Sequence, residues 1–557
     1  MTIIDGIDPR RDSGASVASI ASSSKNSISK SPFFTATETS PLIGGVEEGQ
    51  ETYDPENDGK SESVSPLGRH VGPLTVVALN FSQMIGTGIF VAPGTILNSV
   101  GSIGASLVLW TFGIVVSFCG FALYTEFASL YPSRSGGEVV YLEKAYPRPK
   151  FMVPVTFAIC TVILSYSASN AIVFAQYFLV SFNITHTDGL EQFVAVATSA
   201  VVCIIAIVDT KWSMRLQSVI AYIKVGILLF VAVTGVAVIS GATKIEKPLD
   251  NFKSPFSGTS ASPNVWAAAL VKVIFSFSGW NNANNVLNEI PNPVRTVKIY
   301  GSIALGLVSV LYMVCAIGYF AAIPKQEIRD SNLLTAALFF KKVYGDESAT
   351  RILPSLIAIS SFGNLLSVTI GHSRVVREVG RQGVLPYPAF WTNTWPFGTP
   401  TGPLLVKLLL TVIVILIPPP GDAFNFVIDL QSYPSNVFLV LLVTGLFLVR
   451  KRRRLQGLPK APFQAWNAVL YLYLGVSIFL LVAPWIPPPG GKYGGDVSFF
   501  YATYCIVGLG ILAVCGLYYF WWAIIWPKLG NFKHVEVLER LPDGSVFTRI
   551  VRQKNGE

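Results

Sequence analysis

Runs of about 20 apolar residues recur along this chain, each long enough to cross roughly 30 Å of hydrocarbon. Inside a bilayer every backbone N–H and C=O must find a partner within the protein, so runs of this length read as α-helices. Twelve spans are expected, at residues 72–98, 103–131, 151–182, 190–208, 215–240, 264–289, 297–322, 350–372, 403–417, 422–449, 463–486 and 498–526. Composition agrees: the 557 residues are 51% hydrophobic and 13% charged, whereas ordinary soluble domains carry about 25% charged residues. Mean hydropathy is +0.52.

The expected organisation is a disordered cytosolic N-terminal tail at 1–70, a transmembrane domain at 71–527 and a cytosolic C-terminal tail at 528–557. The first 70 residues are polar and hold no apolar signal-peptide core, so the first span is expected to act as the targeting signal. Basic residues set the orientation. With the N-terminus inside, Arg134, Lys144, Arg148, Lys150, Arg295, Lys298, Arg374, Arg377 and the run Arg450-Lys451-Arg452-Arg453-Arg454 all face the cytosol. That bias predicts both termini inside. In the C-terminal tail, rough alternation around Pro542-Asp543-Gly544 reads as a short β-hairpin or as a partly ordered tail.

Two spans carry a glycine break. The first reads Met84-Ile85-Gly86-Thr87-Gly88-Ile89-Phe90 and the second Phe275-Ser276-Phe277-Ser278-Gly279-Trp280-Asn281. Backbone freed in hydrocarbon costs several kcal/mol per group unless it lines a protein cavity, so such breaks survive at buried sites. Paired breaks in the two halves of a chain point to a ligand site near the middle of the membrane. Freed N–H groups at the start of a half-helix suit a carboxylate. Carbonyls freed at the end of another suit an ammonium. The alternative reading is that these glycines let helices pack closely.

These segments resemble the signatures of the amino acid–polyamine–organocation superfamily. They are most similar there to the L-type amino acid transporters. Tyr124-Thr125-Glu126-Phe127, Ser135-Gly136-Gly137-Glu138, Glu289-Ile290-Pro291-Asn292-Pro293 and Arg374-Val375-Val376-Arg377-Glu378 also match. The resemblance covers about residues 70–527 and is strongest to the fungal high-affinity methionine permease group. It implies an all-α, LeuT-type five-plus-five inverted repeat with 12 transmembrane helices, of which helices 1 and 6 are broken. It also implies that Met84, Gly86, Thr87 and Gly88 hold a substrate α-carboxylate. Phe275, Ser278 and Gly279 would hold the α-amino group, with the Phe275 ring as outer lid and Asn281 beside the site. For the side-chain pocket the candidates are Ser165, Tyr166, Asn364 and Phe426.

Ionisable residues inside spans are costly and are functional candidates by default. Lys224 lies mid-span; in relatives a lysine at the matching position replaces a sodium ion, which implies proton coupling. Glu289 is expected to help close an inner gate, and Asp429 is either a proton site or a helix-end acid. Lys407, near a span end, is expected to snorkel. The implied function is secondary active uptake of L-methionine or related neutral amino acids, coupled to protons, at the plasma membrane, with the vacuolar membrane as the alternative. A broad neutral amino-acid exchanger and a nutrient receptor that keeps the fold are the other readings.

No nucleophile–histidine–acid set or nucleotide loop occurs, so no enzyme is expected. The six cysteines all fall in apolar segments without metal-binding spacing, so neither cofactor nor metal is expected. The loop 182–192 lacks the cysteine through which animal L-type transporters bind a heavy chain, so no disulfide-linked heavy chain is expected. The expected partners are a neutral amino acid, protons and the lipid bilayer; no nucleic-acid partner is expected. By the same resemblance, Lys25 and Lys30 beside the acidic stretch 47–58 imply regulation through an arrestin-like ubiquitin-ligase adaptor.

Overall fold

The computed structural model describes residues 72–554, apart from positions 133–136, 186, 246–247, 291, 332, 346, 396, 420 and 541–545. The tail at 1–70, with Lys25 and Lys30, lies outside the described residues, as does the side chain of Glu289.

The major helices are α1 (Pro73–Met84), α2 (Gly88–Val100), α3 (Ile103–Leu130), α4 (Glu138–Ala145), α5 (Met152–Ile163), α6 (Ala168–Ser181), α7 (Asp188–Val208) and α8 (Thr210–Ile239). They continue with α9 (Pro263–Phe277), α10 (Ser302–Ala322), α11 (Glu347–Arg381), α12 (Thr401–Leu416), α13 (Ala423–Leu455), α14 (Asn467–Val482) and α15 (Thr503–Phe520). Among the described residues, nine helices are long and apolar enough to cross a membrane, and ten if α1 and α2 form one bent span. Two apolar helices, α9 and α12, are shorter.

Burial separates the central helices from the peripheral ones. Every residue of α2 from Gly88 to Leu97 is buried, as expected of a helix apolar on all sides at the middle of a bundle. By contrast, α8 exposes Val219, Tyr222, Phe230, Val233 and Val236, the surface a helix turns to lipid tails. Gly101 ends α2 in the left-handed region at φ 78°. A Cβ there would lie 2.3 Å from the Gly258 carbonyl oxygen, so the position needs glycine for both reasons. Ser102 then caps α3 by accepting from the Ala105 N–H (3.3 Å).

Three elements differ from the sequence reading. The apolar run 151–182 is interrupted between Ile163 and Ala168, where no glycine or proline announces a break. The segment after Phe277 continues as a 3₁₀ helix, Asn282–Glu289, rather than as an α-helical span end. Finally, α13 runs to Leu455, so the basic run 450–454 is its last turn and not a loop. Lysine and arginine are good helix formers, and cations suit a helix C-terminus. Arg450 also makes a two-pronged ion pair with the buried Glu126, at 2.7 and 2.5 Å.

The C-terminal residues pair as an antiparallel hairpin, β1 (Phe532–Arg540) with β2 (Val546–Lys554). It docks on the transmembrane body. The Ile550 N–H donates to the Gln382 carbonyl (3.1 Å), and the His534 ring stacks on Trp522 at 4.1 Å between centroids.

Candidate functional site

The first break follows from Gly86-Thr87-Gly88. The chain bends by 44° between α1 and α2. Thr87, at the N-cap of α2, does not cap it with its side chain. Its hydroxyl turns instead to Asn170 Oδ1 at 3.5 Å; the Phe90 N–H donates to the Thr87 carbonyl (3.2 Å), while the Gly88 and Ile89 N–H groups keep their donor capacity among the described residues. At the end of α1, the Tyr312 hydroxyl donates to the Met84 carbonyl (2.7 Å). Trp110, Phe277 and Tyr312 form an aromatic cluster behind this point, with centroids 5.4 to 6.1 Å apart; Trp110 meets both other rings edge-on, and Phe277 and Tyr312 are tilted at 40°.

The second break is pressed against the first. A Cβ on Gly88 would meet Ser276 Cα at 2.7 Å, and one on Gly279 would meet Gln83 Cγ at 2.4 Å. Gly279 has φ +114°, which L side chains rarely adopt. Asn80 clamps the chain beyond it: Nδ2 donates to the Trp280 carbonyl (2.8 Å) and Oδ1 accepts from the Ala283 N–H (2.9 Å). Ser278 is exposed between buried Phe277 and Gly279. The glycines thus do allow close helix packing, and that packing is what sets the two breaks face to face.

Lys224, 2% exposed, reaches this junction from α8. Its Nζ donates to the Ser82 carbonyl in the last turn of α1 (3.1 Å) and to Asn364 Oδ1 on α11 (3.4 Å). Asn364 Nδ2 in turn donates to Asn170 Oδ1 (2.9 Å), which faces Thr87. A Cβ on Gly86 would sit 2.5 Å from Asn364 Nδ2. One chain of polar contacts therefore runs from the lysine through α11 and α6 to the start of α2. Both acceptors of Lys224 are neutral.

The remaining candidates are more scattered. Phe275 sets its ring perpendicular to Phe424 at 6.5 Å. Asn281 donates to Glu138 Oε1 (3.1 Å), which also accepts from the Tyr124 hydroxyl (2.7 Å). Asp429 is 3% exposed, and its Oδ1 has no hydrogen-bond partner among the described residues. The Tyr166 hydroxyl is taken by the Val427 carbonyl (3.3 Å), and Phe426 packs edge-on against Phe499 at 5.4 Å.

Lys407 does not snorkel. It is 2% exposed and donates to the Ser165 carbonyl and to Ser167 Oγ (2.7 Å), closing the interruption between α5 and α6. The sequence reading placed it by its distance from a span end. Its partners lie some 240 residues away and leave no local trace. Lys272 and Asp496, an ion pair with the lysine 1% exposed, were also missed. The rule that singled out Lys224, an ionisable group inside an apolar run, applies equally to Lys272.

The result is a multi-pass helical membrane protein with two interrupted segments opposed around freed backbone groups. The chain belongs to the amino acid permease family, whose model matches residues 71–512. It is similar to the high-affinity methionine permease of Saccharomyces cerevisiae, at 34% identity over 84% of this chain and 81% of that protein. It is also similar to the low-affinity methionine permease of the same yeast, at 28% identity over 88% of each chain. The cystine/glutamate transporter of Homo sapiens is 28% identical over 69% of this chain and 74% of its own. These relatives are permeases and transporters, not enzymes.

Proposed function

We propose that this permease takes up L-methionine and related neutral amino acids together with protons across the plasma membrane. The observation that carries this reading is the apposition of the two breaks, Gly88 against Ser276 and Gly279 against Gln83. A zwitterion needs an anion site beside a cation site. The α2 N-terminus supplies N–H donors and positive partial charge, and the α9 C-terminus supplies carbonyls. In this reading Met84, Gly86, Thr87 and Gly88 hold the carboxylate, Phe275, Ser278 and Gly279 the ammonium, and Asn281 borders the site. The preference for methionine rests on the names of the two yeast relatives.

Adding α9 and α12 to the longer helices makes twelve spans, arranged as two inverted five-helix repeats and two further spans, with both termini cytosolic. Lys224 is the coupling residue. It is held by neutral acceptors, so a protonated and a neutral amine can both occupy the site, and the proton's arrival or departure alters the tie to α1. Glu289 serves the inner gate, and the tail carrying Lys25 and Lys30 serves regulation by an adaptor. No disulfide-linked heavy chain takes part.

The test is radiolabelled methionine uptake in yeast lacking its own methionine permeases, at acidic and neutral pH, with all common amino acids as competitors. Saturable uptake, faster at acidic pH and competed by neutral amino acids, is expected. Uptake indifferent to the proton gradient would remove proton coupling, and the absence of saturable uptake of any amino acid would remove the whole reading.

A further inference from the structure

Away from the breaks, Lys272, Asp496 and Asp429 place three charged groups in an apolar interior. Lys272 lies on α9 one turn before Ser276, the residue pressed against Gly88, and Ser276 Oγ donates to its carbonyl (2.9 Å). Its Nζ pairs with Asp496 Oδ2. Asp496 belongs to the segment 486–502 between α14 and α15, which contains Pro487-Pro488-Pro489-Gly490-Gly491. Gly490, Gly491 and Gly495 there have φ of 97°, 76° and 106°, so this is backbone shaped by glycine and not a helix continuation.

The segment is pinned across three helices at one end of the bundle. The Ser99 hydroxyl of α2 reaches Asp496 at 3.4 Å. Asn425 Nδ2 of α13 donates to the Asp496 carbonyl (3.2 Å). Asp422, at the N-cap position of α13, turns its side chain to the segment and accepts from the Ser498 N–H (2.8 Å) and from its hydroxyl. Among the described residues, the Lys272 pair ties the segment to α9, one turn from the break.

A second carboxylate is within the field of Lys272. Asp429 lies on α13, which packs against the α9 helix that carries Lys272, and Tyr504 and Cys505 of α15 are the other titratable groups facing it. Asp429 Oδ1 has no hydrogen-bond partner among the described residues. A buried ammonium stripped of its counter-ion is costly, so a cation that must change partners needs another acid at hand. A purely static clasp gives no reason for a buried carboxylate oxygen without a hydrogen-bond partner among the described residues, on a helix packed against α9.

We infer that segment 486–502 is the outer lid of the permeation path and that Lys272 is its latch, paired with Asp496 when the lid is shut and passing to Asp429 when it opens. This rests on the transport reading and on the orientation that the basic residues imply. It gives Asp429 a role as the receiving group for the lysine, acting on the gate and not on substrate.

The latch is tested by the rate at which a membrane-impermeant maleimide labels Ser99→Cys on intact cells, since all six native cysteines are buried. In that background Asp496→Asn and Lys272→Met should each speed labelling by about tenfold or more, because breaking a buried pair is strongly destabilising. The swap Lys272→Asp with Asp496→Lys should restore slow labelling. Asp429→Asn should leave labelling slow while lowering the maximal rate of methionine uptake about tenfold, as expected if the open state loses its acceptor. Should Lys272→Met fail to reach the surface, Asp496→Asn on the loop decides. Unchanged labelling in Asp496→Asn, or unchanged uptake in Asp429→Asn, overturns the latch. Labelling needs no substrate: if wild-type cells carry no amino acid while Asp496→Asn still labels faster, the transport reading falls and the lid stands.

Discussion

Two interrupted helices, Pro73–Val100 and Met152–Ser181, are built alike but leave different backbone groups free. In each, a buried lysine from a distant helix donates to a carbonyl beside the interruption: Lys224 to Ser82, Lys407 to Ser165. In each, α11 supplies a neighbour to the lysine, Asn364 in one and His372 in the other, at 3.4 and 3.5 Å. Side chains take carbonyls at both, Lys224 and Tyr312 at the first; the difference is in who satisfies the backbone N–H groups. At the second interruption side chains do: the Ser167 N–H donates to Thr411 Oγ1 (3.2 Å), and Lys407 takes both the Ser165 carbonyl and Ser167 Oγ. At the first, Gly86 and Gly88 offer no side chain and Thr87 does not cap α2, so donors remain for a ligand. A break with a lysine beside it therefore does not by itself offer donors to a ligand; the protein must also leave N–H groups at the break unclaimed.

That contrast is most severely tested by removing the lysines. Lys224→Ala should abolish concentrative, proton-driven uptake, leaving at most exchange, measured with and without a collapsed proton gradient. Normal concentrative uptake in that variant would remove Lys224 from the coupling role. Lys407→Met should leave uptake per folded molecule near wild type but remove the charged donor to the Ser165 carbonyl and Ser167 Oγ, leaving His372 as the carbonyl's remaining neighbour, at about 1–3 kcal/mol. The readout is the thermal midpoint of the purified protein, and a loss of uptake with stability unchanged would make the two sites equivalent.

A smaller but sharper test is at the glycines. Gly279→Ala meets Gln83 Cγ at 2.4 Å and its backbone carbon at 3.0 Å, at φ +114°. It should lower uptake at least tenfold, roughly 1.4 kcal/mol or more, a cost ordinary for strain at such a position. Gly371→Ala on α11, where nothing lies within 4 Å, should be neutral or gain about 0.5–1 kcal/mol from helix propensity. Equal effects at the two positions would mean that the close approach at the break is incidental.

The smallest effect is at the C-terminal hairpin, outside the membrane. Burial, and then Arg552, holds the His534 imidazole down, to about 4. The docked form prefers the neutral ring, so docking is complete above the ordinary histidine range and weakens as pH falls from about 6.5 toward 4. Limited proteolysis should release the tail faster at the acidic end, and His534→Phe should abolish that pH dependence.

Much of the body and the first break was legible. Long apolar runs dictate helices, and Gly86-Thr87-Gly88 declares its break because glycine is the residue that frees backbone. Lys224 was legible because a charge inside hydrocarbon needs a reason. The interruption at Leu164-Ser165-Tyr166-Ser167 was not, because it is made by partners from α12 rather than by its own residues. Lys407 was misread for the same reason. The second break, after Phe277, was legible from Gly279 as well; what was not is the form of the chain beyond it, expected as the rest of a span to 289, which Asn80 clamps into a tighter turn from 200 residues away.

The most direct measurement is binding of radiolabelled methionine to the purified protein, competed by methionine, by methioninol, which lacks the carboxylate, and by N-acetylmethionine, which lacks the ammonium. If the breaks receive the two charged ends of an amino acid, unlabelled methionine competes and each blocked analogue competes at least about a hundredfold less well, since each forfeits a charge-assisted set of hydrogen bonds. Competition by either analogue equal to that of methionine would contradict the assignment of the two breaks.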